Sequence, residues 1–252
     1  MIYKMNKITT VSLLLIGLFI IPFSSCKKKS EDPPVIETGS VTDIQGFVYR
    51  TVKIGNQWWM AEDLKTTRYR DSSTLHAVPP PPFDTTWSHF TTGVYSNNLD
   101  NQNTIIGVLY NYYAVTDPRG LAPAGWHIPS DAEWKVLETH LGMSTEEADK
   151  TSWRGTHEGE KLKVVRGTTG GWSDYGSVWA TNESGFSALA FGCRMFDGSW
   201  GYPGQGSTGF WWTSTSQENN QAWYRYLDYK NSNVFRYYGV KTYGFSVRCV
   251  KD

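Results

Sequence analysis

Apolar residues along most of this chain recur at period two, and they do so in short runs. Phe47, Tyr49, Val52 and Ile54 lie between Gly46 and Gly55-Asn56. A Gly-Asn pair between two such runs predicts a hairpin, with Phe47–Ile54 returning through Gln57–Met60. Residues 108–115 (VLYNYYAV) have strand composition, and Asp117-Pro118-Arg119-Gly120 reads as a turn. From Gly185 onward short runs at 186–194, 209–214, 222–229, 233–238 and 245–250 are separated by Gly-, Asn- and Ser-rich turns. Within 222–229, Trp223, Arg225, Leu227 and Tyr229 alternate with Tyr224, Tyr226 and Asp228, which places the two sets on opposite faces of a strand.

A helical period appears only in the middle of the chain. Ser130-Asp131-Ala132-Glu133 is a capping box, Trp134, Leu137 and Leu141 follow at i, i+3 and i+7, and Gly142 supplies the stop. Ser144-Thr145-Glu146-Glu147 opens a second, shorter helix, and 158–165 suits a third. Helices in the middle and an antiparallel sheet built largely from the C-terminal half give an α+β layout in one domain, 41–252. The four prolines at 79–82 exclude a central strand or helix interior and read as a surface insertion.

The N-terminus has a different pattern. Lys4 and Lys7 precede an apolar stretch from Ile8 to Phe23, which ends in Phe23-Ser24-Ser25-Cys26. A basic segment and an apolar run of this length form a secretory signal rather than a membrane span. Small residues directly before a Cys resemble the bacterial lipobox, so residues 1–25 are expected to be a lipoprotein signal peptide and Cys26 the lipidated residue. The alternative is an ordinary signal peptide with an incidental cysteine. Residues 26–40, starting Cys-Lys-Lys-Lys and soon acidic, read as a flexible tether. They look like the start of Bacteroidetes-type lipoproteins, which places the domain at the outer membrane, periplasmic or surface-exposed.

Composition narrows the partners. The full chain has 24 basic and 24 acidic residues, and removing Lys4 and Lys7 with the signal leaves it slightly acidic. No basic footprint for nucleic acid remains. Aromatic residues make up 15% of the chain, too many for a disordered one. Beyond Cys26, two cysteines remain, Cys193 and Cys249. An even pair in an exported chain predicts a disulfide, with two buried free thiols as the alternative.

Catalytic patterns are sparse. Residues 204–209 (GQGSTG) fit G-x-G-x-x-G, but a strand-like segment follows where a dinucleotide site needs a helix. The five histidines form neither H-E-x-x-H nor a zinc spacing, and His127 reads as a hydrogen-bonded structural residue. Glu62 and Asp63 are adjacent, so on a strand they point to opposite sides. The sequence implies no metal and no cofactor.

Several stretches together resemble the Fibrobacter succinogenes major paralogous domain: 52–65 (VKIGNQWWMAEDLK), 107–112 (GVLYNY), 122–134 (APAGWHIPSDAEW), 181–189 (TNESGFSAL) and 243–252 (YGFSVRCVKD). The family's motif usually has Asn where this chain has Asp63. The closing stretch is similar to the ending of formylglycine-generating-enzyme-like proteins. That similarity implies a C-type-lectin-like α+β fold, with an antiparallel sheet, two or three short helices and long loops. It also implies a structural, disulfide-bonded Cys249. The second cysteine pair that oxidases of that group use is missing, so the resemblance brings no oxidase activity.

The expected function is a lipid-anchored cell-envelope binding module for a glycan or protein, without catalysis. The alternatives are a glycan-active hydrolase with carboxylates assembled by the fold, and a purely structural lipoprotein. The tryptophans at 58, 59, 126, 134, 211, 212 and 223 are expected in the core. By resemblance to C-type-lectin-like folds, the ligand is expected at loops 197–209, 217–221 and 230–233. There Trp200 and Tyr202 are candidate anchors, and Asn219, Asn220, Asn231 and Asn233 candidate polar contacts.

Overall fold

The computed structural model describes residues 36–80, 86–99, 105–168, 170–176, 178–201 and 206–252. Cys26, Tyr202 and the signal and tether up to residue 35 lie outside the described residues, as do prolines 81 and 82 and the first two positions of the glycine-rich stretch.

In chain order the strands and helices are β1 (Thr38–Thr42), β2 (Val48–Ile54), β3 (Gln57–Met60), β4 (His76–Ala77), β5 (Val94–Leu99), β6 (Ile105–Tyr110), α1 (Tyr112–Val115) and β7 (Trp126–His127). They continue with α2 (Asp131–His140), α3 (Thr145–Asp149), β8 (Ser152–Arg154), α4 (Glu158–Leu162), β9 (Cys193–Arg194) and β10 (Trp200–Gly201). The last four are β11 (Thr208–Gln217), β12 (Gln221–Asp228), β13 (Val234–Val240) and β14 (Val250–Lys251). Four sheets result, ordered β1-β2-β3-β14-β7, β4-β5-β6, β10-β9 and β11-β12-β13-β8.

This overturns the expected α+β, C-type-lectin-like class: the fold is β-rich, with fourteen strands in the described residues and little helix. The helix starts were read correctly. Ser130 forms the reciprocal capping box with Glu133, and Ser144 Oγ accepts from the Glu147 amide. Helix α3 ends at Asp149, as its short expected span implied, while α4 stops at Leu162, short of the expected end at Val165. A cap fixes where a helix begins, while tertiary packing fixes how far it runs. The run 108–115 also divides, since Asn111 turns the chain after β6 and caps α1 with its side chain. The N-terminal half supplies the β4-β5-β6 sheet and most of the sheet that β14 joins from the C-terminus, so strands are not concentrated at the C-terminus.

The expected β2–β3 hairpin forms, with Gly55 at φ +59° in its turn. Gly55 accepts this left-handed backbone without the strain a side chain brings. The sheet β11-β12-β13-β8 separates two buried clusters. Trp211, Leu227 and Val234 pack with Trp59, Trp134 and Phe186 on one side. Phe210, Trp212 and Phe245 pack with Tyr110 and Tyr112 on the other. Of the tryptophans expected in the core, Trp59, Trp126, Trp134, Trp211 and Trp212 are buried, and Trp58 and Trp223 are half-buried.

Candidate functional site

The alternation in β12 decides which side chains meet the outside. Arg225 and its neighbours on that face turn toward α2 and are sealed in by charge pairing. Glu138 accepts from Arg154 Nη2 at 2.8 Å and from Arg225 Nε at 2.6 Å. Asp131 accepts from Arg225 Nη1 and from Arg236 Nε and Nη2, each at 2.8 Å. Glu138, Arg154 and Arg225 side chains are fully buried. Burial alone works to raise the Asp131 carboxyl, but Arg236 and Arg225 outweigh it and hold it well below the usual carboxylate range. Removing either carboxylate leaves buried arginine charge uncompensated, so this face is locked.

The opposite face is aromatic. Tyr224 and Tyr226 of β12 lie opposite Tyr237 and Phe235 of β13, and Phe235 lies opposite Trp153 of β8. Phe210 of β11 stacks on Tyr226 with ring centres 4.5 Å apart, and Trp153 meets Tyr226 at 5.1 Å and Phe235 at 5.2 Å. Tyr243 stacks on Phe245 at 5.2 Å. Trp153, Tyr224, Tyr226, Phe235 and Tyr243 are only half-buried. They line a groove of about 440 Å³ with Phe210 and Phe245, and Cys193 and Met195 also line it. That volume lies within the range of small-ligand sites.

One end of the groove is polar, formed by Asp228, Lys230 and Asn231 at the β12–β13 turn. Asp228 accepts from the Tyr226 hydroxyl at 2.6 Å and from the Lys230 amide at 2.7 Å. Beneath the turn, Lys163 Nζ donates to the carbonyls of Asp228 at 2.7 Å and Asn231 at 2.5 Å. Burial lowers the Lys163 amine to about 8, against the attraction of Asp228 and Glu160.

The expected site residues do not come together. Asn219 and Asn220 form the β11–β12 turn at φ +58° and +60°, while Asn231 and Asn233 belong to the β12–β13 turn. The two turns lie at opposite ends of the eight-residue β12, roughly 24 Å apart. Asn219 and Asn220 are there because asparagine tolerates left-handed backbone. Asn233 Nδ2 donates to the Gly155 carbonyl, and Asn231 is the one of the four that lines the groove. Trp200 is 38% exposed on β10, opposite Arg194, and is not among the groove's lining residues. The groove aromatics were missed as a site although the Tyr224–Tyr226–Asp228 alternation was visible. Nothing local said which face the core takes.

Cys193 and Cys249 are free thiols, both buried, so the expected bridge is not formed in this structure. Both pack into the same apolar cluster. Burial pushes the Cys193 thiol up to about 12 and that of Cys249 higher still. His127 bridges Glu133 and Asp252, at 2.7 Å from each, as a structural histidine does. Burial lowers its pKa, but the two carboxylates outweigh that and raise it. Among the described residues no group of three or more His, Cys, Asp or Glu side chains is placed to hold a metal ion, and no helix is long and apolar enough to cross a membrane.

No curated protein and no solved structure matches the chain. A family model does: the Fibrobacter succinogenes major domain matches residues 52–251. That span contains β3, β14 and all four strands of the groove sheet, so the buried charge network and the aromatic face both fall inside it. The chain therefore belongs to the Fibrobacter succinogenes major domain family.

Proposed function

We propose that this protein is a binding module of the cell envelope, tethered by lipid at Cys26, which holds a glycan or protein ligand in the aromatic groove of the β11-β12-β13-β8 sheet. The observation that carries this reading is the row of half-buried rings of Trp153, Tyr226, Phe235, Tyr224 and Tyr243, flanked by polar groups at one end. Rings held by neighbouring rings offer flat apolar area at low entropic cost, which suits sugar faces and protein epitopes. Asp228 is the one carboxylate among the described residues that line the groove. A hydrolase of the two-carboxylate type needs a second across the groove, so binding without catalysis is favoured.

Glycan and peptide arrays probed with the protein and with Trp153→Ala test the reading. The wild type is expected to bind a defined set of probes. The variant is expected to lose about 2 kcal/mol of that binding, the range of an interface hot spot. Unchanged binding by a folded Trp153→Ala protein would move the site elsewhere.

A further inference from the structure

The β9–β10 hairpin brings two sulfurs to the groove. Extended backbone puts alternate side chains on one face. Cys193 and Met195 share the face that lines the groove. Arg194 between them turns the other way, 4.4 Å from the centre of the Trp87 ring and 2.9 Å from the Pro79 carbonyl. The Met195 amide donates to the Ser199 carbonyl at 2.8 Å, so the hairpin's pairing continues through this residue. Opposite Cys193 stands Gly201. A Cβ there would lie 2.7 Å from Cys193 Sγ and would collide with Met195 Sδ as well. The missing side chain is what lets both sulfurs close over that backbone. They are held within about 5 Å of each other, the span of two metal–sulfur bonds of about 2.3 Å. The Cys193 thiol donates weakly to the Gly201 carbonyl at 3.6 Å.

We infer that Cys193 and Met195 form a two-coordinate site for a soft monovalent cation, copper(I) or silver(I), in the wall of the aromatic groove. A thiolate with a thioether selects such ions, whereas calcium and magnesium take oxygen donors and more of them. Binding forms one bond from each sulfur. The Cys193 S–H proton leaves to solvent, the thioether gives a lone pair without losing a proton, and no electron is transferred. Burial keeps the free thiol protonated, and the cation takes that proton's place. Phe210, Tyr243 and Phe245 line the same groove, and ring faces favour a cation that has shed its water. The assignment does not depend on which glycan or protein the groove takes.

Anaerobic titration of copper(I) against bicinchoninate tests this. The protein is the full chain in detergent carrying Cys26→Ser, so that Cys193 and Cys249 are its remaining thiols. One equivalent of copper is expected to move from the chelator to the protein, with X-ray absorption showing two sulfur neighbours. Below the thiol pKa the affinity is expected to rise about tenfold per pH unit, because one proton leaves with each ion bound. Met195→Leu, which keeps the side chain's bulk, is expected to bind at least about tenfold more weakly. Cys193→Ser is expected to lose the site and Cys249→Ser to retain it, with near-UV circular dichroism showing that each variant is folded. Copper left wholly on the chelator, or a Met195→Leu protein that binds like the parent, overturns the assignment. So does an affinity independent of pH, which would mean that no thiol proton is displaced. If Cys193→Ser fails to fold, Met195→Leu and the pH dependence decide between them.

Discussion

Arg248 donates through Nε to Asp63 Oδ1 at 2.6 Å, and neither side chain is more than 3% exposed. The pair joins stretches that are far apart in sequence. Asp63 Oδ1 also accepts from Trp211 Nε1 at 2.9 Å. Arg248 reaches the carbonyls of Phe186 and, at 2.8 Å, Ser187. Residues from 52–65, 181–189 and 243–252, three of the five segments that resemble the family, meet at one guanidinium.

Asp63→Ala is expected to destabilise the protein by about 3–5 kcal/mol, because it leaves Arg248 charged, buried and unpaired. Asp63→Asn should cost less. Its amide oxygen can still accept from Arg248 or Trp211, and its amide nitrogen replaces Oδ2, which has no hydrogen-bond partner. Urea denaturation of the three proteins checks the order; an alanine variant as stable as the asparagine one would contradict it.

Asp131 makes stability depend on acid pH. Its folded pKa lies below its ordinary value, because Arg236 and Arg225 overcome the penalty of burial. The stabilisation is therefore full at neutral pH, above the unfolded pKa of about 4, and is lost as the pH falls toward the lowered folded value. Asp131→Asn should be less stable than wild type at pH 7, and the gap should narrow at pH 3. A gap independent of pH would show that the loss is one of packing alone.

Lys163 predicts the opposite end of the pH scale. Burial lowers its folded pKa to about 8, below the ordinary value of about 10.4. Between these values the unfolded chain binds more protons, so the lysine's contribution becomes more favourable as pH rises and is lost as pH falls through about 8. Relative to Lys163→Met, the wild type should gain up to about 3 kcal/mol from pH 7 to pH 10. Parallel denaturation curves at the two pH values measure the difference. A constant offset would mean that the amine is solvated.

The thiols give a redox-independent prediction. Cys193 and Cys249 should be unreactive toward an alkylating reagent in the native protein, since both are buried and burial raises both pKa values. In denaturant without reductant both should be alkylated in full. Mass spectrometry of the two peptides reads the outcome, and a Cys193–Cys249 cross-linked peptide would contradict it.

Much of the local structure was legible. The hairpin at 48–60 is announced by Gly55-Asn56, α2 by Ser130 and Glu133 at one end and Gly142 at the other, and the β12 faces by their alternation. Each of these signals acts between residues a few positions apart, so the sequence contains all of it. The family was legible for a related reason, since its motifs are contiguous stretches.

Tertiary structure decided the rest. The alternation in β12 is symmetric by itself. Asp131 and Glu138 on α2 drew Arg225 inward, and that left Tyr224 and Tyr226 on the side that became a groove. Desolvating an arginine costs several kcal/mol unless carboxylates meet it, so the face was settled by partners 87 and 94 positions away. The same holds for the balance of helix and strand, for the two thiols that share a core without joining, and for the asparagines that β12 holds apart. All depend on which distant segments pack together, and one strand's length in space, which no local pattern encodes, separates what looked like one loop cluster in the sequence.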